Sequence, residues 1–396
     1  ARMAVGSVPV WGRTRNRSHD PHIQNEDLED RRGDPQRKWV AVNPDLEMIR
    51  VDSAEGVPLA ASIVFSVHGT GIPQQALEYN ADLWAYVVHE LASRIEETSG
   101  HRPVVGAMEG THADVAPALR PGAAGDVEAE RIGRSVGADA ADLWSALGDD
   151  LGEEVALGAA VRELDLRRPE GRTIDGIRLA DRPSVGAALV AGAKENLTPV
   201  IHRIPPFRAG TPKQGRDDDP QGTKWVLGSR WLQPLVLPPR GFPTVLPVQL
   251  LRLGPTALLG LPFEVTVQAG RRIAAEVLAA EGVSGSGVEK VVVSSVANEY
   301  SGYCTTPEEY RRQFYEGGHT LYGPSTQPFL AAHSAKLATD AAQAWAEGSP
   351  VLSEPVRARA FDMAVARRWL GPGPAGDVAD VAGRPARRFV GSATFS

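Results

Sequence analysis

"TVLPVQLLRLGPTALLGLPFE", residues 244 to 264, is the stretch on which the fold turns. Its apolar residues run almost unbroken on either side of Gly254-Pro255, a dipeptide that marks a turn, so it predicts two buried strands joined there. A helix follows in "VTVQAGRRIAAEVLAAEG" (265–282) and a further buried strand in "VEKVVVSSVAN" (288–298). Upstream, "PLAASIVFSVHGTG" (58–71) reads as a buried strand ending at His68, and "NADLWAYVVHELASRIEET" (80–98) as an amphipathic helix. "RPVVGAMEGTHADVAP" (102–117) reads as a strand running into a polar turn, and "DVEAERIGRSVGADAADLWSALGDDL" (126–151) as a second helix. This alternation is that of a layered α/β protein. The expected architecture is a mixed sheet with flanking helices, forming one large catalytic-type domain over residues 1–348 that "STQPFLAAHSAKLATDAAQAWAEG" (325–348) closes as a helix. Residues 1–45 read as polar and irregular, 206–245 as loop, and 349–396 as a weakly ordered tail or the start of a further module.

Composition narrows the function. Hydrophobic residues make up 42% of the chain and charged residues 23%, the proportions of a soluble globular protein. A net charge of -7 gives no electrostatic reason to expect a nucleic-acid partner. Cys304 is the single cysteine, which excludes an internal disulfide and a cysteine-cluster metal site. The chain opens without an initiator methionine or a signal-type apolar core, so it is expected to be a fragment, and its compartment is left open.

Five of the seven tyrosines lie in "NEYSGYCTTPEEYRRQFYEGGHTLYGP" (298–324), among glycines and a proline that would interrupt a long helix. Several phenols are therefore expected on connecting segments, where sites tend to be built. Three other candidates stand where a strand gives way to a loop: His68, the turn around Asp114, and Glu264. Glu264 follows the apolar run "ALLGLPF", where an unpaired carboxylate would be costly. Metal ligation, a salt bridge to Arg271 or Arg272, and a cap on the next helix all remain open for it. A histidine, a glutamate and a phenol can make a zinc site of nitrogen and oxygen donors, suited to amide or ester hydrolysis.

The pattern Y-x-x-Y-x-T-T-x-E-E-Y-x-x-Q-x-Y-E-G-x-x-T-L-Y-G-P (300–324), with "LPVQLLRLG", "LPFEVTVQAGRR", "FSVHGTG" and "NRS", resembles the neutral (alkaline, non-lysosomal) ceramidases, zinc-dependent amidases that cleave the N-acyl bond of ceramide. The likeness runs with gaps from about residue 14 to 340 and is thin between 150 and 235. It implies that His68, Glu264 and Tyr303 are zinc ligands and that Arg17 and Tyr315 are polar groups of the catalytic pocket. The other tyrosines would pack or line the entrance. The partner it implies is ceramide or another N-acyl lipid, met at a membrane surface, and the compartment it implies is secreted or extracytoplasmic.

Two departures accompany the resemblance. The family's nucleophilic serine lies in a G-D-V-S-P turn, and here the segment is "THADVAP", with Ala113 and Ala116 at the glycine and serine positions. The family's other zinc-binding histidine lies in a T-H-x-H-S-G-P-G motif, which does not occur in these residues. Three readings follow: a ceramidase-like amidohydrolase without its serine, hydrolysis by metal-activated water with His112 or Asp114 as base, and a noncatalytic lipid-binding or scaffold protein.

Overall fold

The computed structural model describes residues 1–73, 75–76, 79–215, 219–238 and 241–354. Two mixed β-sheets carry the fold. In the first, the strands run in the order Arg2–Pro9, Asp45–Asp52, Pro58–Phe65, Val104–Glu109, the first three antiparallel and the last pair parallel. In the second, the order is Lys290–Ser294, Thr256–Gly260, Val245–Leu253, Leu157–Asp165, Val351–Glu354, with parallel pairs at both edges. Gly254 takes a left-handed φ of 64° at the predicted turn, a conformation glycine reaches without the Cβ penalty.

Strand alternation explains how the sheets meet. Ile63 and Phe65 point into one core, formed with the helices Asp82–Ser99 and Asp126–Ala146. Ala257, Leu259 and Val293 point into the other, formed with Val267–Leu278 and Thr326–Ala346. Val64, Leu258 and Val292, on the opposite faces of the same strands, pack together between the sheets. The layers therefore run helix, sheet, sheet, helix. The expected α/β class with flanking helices is observed, the strands being shared between two sheets.

The first helical layer depends on a close approach. Leu83, Val87, Leu91 and Ile95, spaced by four, form the buried stripe of Asp82–Ser99. Gly133 and Gly137 of the neighbouring helix sit against it, and a Cβ on Gly133 would stand 2.6 Å from the Cβ of Tyr86. Gly133→Val is therefore expected to destabilise the protein by about 1–3 kcal/mol through overpacking. Thermal unfolding measures this, and an unchanged midpoint would contradict the packing.

Residues 1–45 are not wholly irregular, because Arg2–Pro9 forms an eight-residue strand. Its pairing partner, Asp45–Asp52, lies beyond a long connection, so local sequence pattern carries little sign of it. The expected weak tail from 349 lies mostly outside the described residues, although Val351–Glu354 adds an edge strand. Among the described residues no helix is long and apolar enough to cross a membrane.

Candidate metal centre

Parallel strands that end on one side of a sheet place their following loops in a common crevice. Here Phe65 and Glu109 end neighbouring parallel strands, and His68 and His112 each come three residues later. Thr256–Gly260 ends likewise and leads into Glu264, where Glu264–Val265 pairs in parallel with Tyr303–Cys304. That register sets Glu264 directly beside Tyr303. A further short ladder pairs Arg15 with Ala116 and brings Arg17 alongside. Backbone bonds tie the pieces together: the Ala113 N–H donates to the Val265 carbonyl, and those of Arg17 and His68 donate to the carbonyls of Asp114 and Val115.

His68, Glu264 and Tyr303 meet at the side-chain tips. Nε2 of His68 lies 2.8 Å from Oε2 of Glu264, although the two are 196 residues apart in sequence. The Tyr303 hydroxyl is 3.5 Å from the same nitrogen. Nε2 of His112 lies 3.6 Å from Oε2 of Glu264 and 3.3 Å from Glu109, and the two imidazoles stand edge to face at 4.5 Å. The Tyr300 hydroxyl donates to Oε1 of Glu264 at 2.8 Å. Tyr300 is 42% exposed, so the site opens to solvent on that side.

Arg17 closes the inner wall. It is 4% exposed and donates from Nε to Glu316 at 3.0 Å and from Nη2 to the Tyr303 hydroxyl at 3.3 Å, with Glu195 3.5 Å from Nη1. Its guanidinium lies 5.5 Å from the Tyr315 ring centre, and the Tyr315 ring meets Tyr303 edge to face at 5.6 Å. Burial opposes the charge of Arg17, but the phenol and carboxylates around it outweigh that effect and raise its pKa.

Electrostatics divide the donors. Burial, helped by Arg17 and His112, lowers the pKa of His68 to about 4, so it is a neutral imidazole at pH 7. Burial also disfavours ionised Glu264, yet hydrogen bonds to His112 and His68 prevail and hold its carboxyl well below the ordinary range. Tyr303 is driven well above its ordinary value by burial, so its phenol keeps its proton unless a cation displaces it. A neutral imidazole, a carboxylate and a phenol at these separations form a nitrogen-oxygen donor set that fits zinc. Among the described residues, His68, His112 and Glu264 offer ligand atoms within 4.8 Å of one another.

The other candidates fall elsewhere. Arg271 and Arg272 do not pair with Glu264: Arg272 binds Asp27 and Glu308, and Arg271 reaches Gln268 and the Val42 carbonyl. Asp114 is buried, with one oxygen accepting from Asn16 Nδ2 at 2.6 Å and the other from the Val267 N–H at 2.9 Å, at the start of a helix. It faces His22 and Glu309 in a separate buried knot. Ala116 is fully buried, one residue past the Val115 carbonyl that accepts from His68.

Tyr300 stands at the open side, as expected of the tyrosines lining the entrance, but its bond to Glu264 was not foreseen, and neither were Glu316 and Glu195. Tyr300 and Glu316 lay inside the tyrosine segment, where an acid next to Tyr315 was a usable signal. Glu195 lies in the stretch without recognisable pattern, and only the tertiary fold brings it to Arg17.

This arrangement defines a layered α/β protein with a mixed nitrogen-oxygen site at the ends of its central strands. Residues 221–332 match the model of the neutral/alkaline non-lysosomal ceramidase N-terminal region. The neutral ceramidase of Pseudomonas aeruginosa is 31% identical over 384 residues, covering 88% of this chain and 52% of that protein. The neutral ceramidase of Mycobacterium tuberculosis is 27% identical over 383 residues, covering 89% and 56%. A solved structure described as ceramidase complexed with C2 superposes with a TM-score of 0.66 at 28% identity, over 91% of this chain and 56% of the other. The crystal structure of the P. aeruginosa neutral ceramidase gives 0.63 at 26% identity, over 90% and 54%. The chain thus spans about half the length of these curated relatives. It belongs to the neutral/alkaline non-lysosomal ceramidase family.

Proposed function

We propose that the chain carries the zinc centre of a ceramidase-like amidohydrolase, acting on the N-acyl amide bond of ceramide or a related N-acyl lipid. The observation that carries this reading is the meeting of His68, Glu264 and Tyr303 beside Arg17 and Tyr315. A zinc ion held there would polarise the amide carbonyl and acidify water at an open position. His68 offers a neutral nitrogen because its Nδ1–H is held by the Val115 carbonyl. Glu264 supplies the compensating charge, and Tyr300 fixes its far oxygen. Arg17 holds the Tyr303 oxygen in place, and the Tyr315 hydroxyl beside it would turn to donate to the developing oxyanion. Ala116 supplies no nucleophile, so the attacking group in this reading is water.

Ala116 also favours a second reading, a lipid-binding protein that keeps the pocket without the reaction. Tyr315→Phe separates the two. In the hydrolase, kcat for N-acyl-sphingosine cleavage should fall about a hundred- to a thousandfold with zinc content unchanged, as for loss of one oxyanion donor. Bound lipid with no turnover in the unsubstituted chain would select the binder. Turnover unaffected by the substitution would remove Tyr315 from the chemistry.

A further inference from the structure

We propose that His112 is itself a ligand of the metal, the second imidazole of the site alongside His68, rather than a general base. This rests on the metal reading above and adds a ligand to it. Donors and acceptors around the two rings fix their tautomers. Nδ1 of His68 lies 3.0 Å from the Val115 carbonyl, and Nδ1 of His112 lies 3.1 Å from the Gly110 carbonyl. A carbonyl only accepts, so both Nδ1 atoms carry hydrogen. Nε2 is then the nitrogen that each ring turns towards its neighbours, and both Nε2 atoms face the same oxygen of Glu264. Two imidazole nitrogens converging on one carboxylate oxygen frame a position for a cation, and a metal ion would fill it by taking the Nε2 lone pair of each ring.

The spacing suits a metal ion. Tetrahedral donors at about 2.0–2.2 Å from zinc stand roughly 3.3–3.6 Å from one another. His112 to Glu264 is 3.6 Å and His68 to Tyr303 is 3.5 Å, while His68 to Glu264 at 2.8 Å needs a small opening. His112 is 1% exposed and its ring is held by the Gly110 carbonyl, the arrangement in which a ligand's second nitrogen fixes its tautomer and direction. The two histidines also occupy equivalent places, each three residues past the end of a neighbouring parallel strand. A ring that gives its Nε2 lone pair to a metal has none left to take a proton.

The test is cobalt(II) or zinc titration of the metal-stripped chain and of its His112→Gln and His68→Gln variants, with folding checked by circular dichroism. Loss of a group that only orients a ligand costs about ten- to a hundredfold in metal affinity. His112→Gln is expected to exceed that, to match His68→Gln, and to change the visible cobalt spectrum. Retained affinity and spectrum in His112→Gln, with loss in His68→Gln, would overturn the assignment of His112 and leave the metal site standing. No metal binding by the unsubstituted chain would overturn both. A measurement without substitution guards against misfolding: in the histidine-15N-labelled chain, zinc should shift the Nε2 signals of both rings. If the bridging cation is a proton shared with Glu109 or Glu264, the His112 signal will stay where it is, and the proposal fails.

Discussion

Arg17→Met should destabilise the protein by about 3–5 kcal/mol, the cost of leaving a buried charge without its partner. The Glu316 carboxylate is 3% exposed and keeps the Ser18 hydroxyl, at 2.7 Å, and a backbone N–H but no cation it touches among the described residues once the guanidinium is gone. Glu195 loses its inner partner as well, although Arg15 still holds it at 3.0 Å. Denaturant unfolding measures the loss. Adding Glu316→Gln in the same chain should recover much of it, because the second change removes the stranded charge rather than a further contact. A single substitution costing less than about 1 kcal/mol, as exposed pairs do, would mean that the wall of the site is wetter than its geometry says. Failure of the second change to recover stability would point to packing against Tyr315 as the main role of Arg17.

The second large effect is expected at Glu264. Glu264→Gln preserves the shape of the side chain while removing the one full negative charge that faces both histidines. Zinc affinity should fall by more than about a hundredfold, beyond what loss of an orienting partner causes. Stability without metal should fall as well, since a carboxyl held well below its ordinary range favours the folded state at neutral pH, so affinities are compared on protein shown to be folded. Tyr303→Phe makes a milder companion: it removes a donor oxygen and nearly preserves the ring, which packs against Tyr315 and His319.

Legibility of the fold followed the range of the interactions that make it. The strand pair on either side of Gly254 and the helices with four-residue apolar spacing were readable, because each is specified by its own residues. Arg2–Pro9 and Leu157–Asp165 were not, since each becomes a strand only by pairing with a segment tens of residues away. The division into two sheets was hidden for a related reason. Val64, Leu258 and Val292 look like ordinary members of buried strands until their neighbours across the layer are known.

The site divides in the same way. His68 and Glu264 stood out as polar groups at the ends of apolar runs, and Tyr303 and Tyr315 through the tyrosine segment and its family likeness. What no spacing revealed is the register that pairs Glu264 with Tyr303, or that Asp114 turns towards the start of a helix and away from these groups. His112 was named from the sequence only as a possible base, because the direction of its ring is set by the Gly110 carbonyl, a contact that spacing does not specify.

The most direct test of the central claim is the zinc content of the purified chain, measured by atomic emission beside that of Glu264→Gln prepared identically. One zinc ion per chain is expected, removable by chelator and restored on dialysis against zinc, with almost none retained by the variant. A folded chain that takes up no zinc, or equal zinc in both proteins, would contradict it.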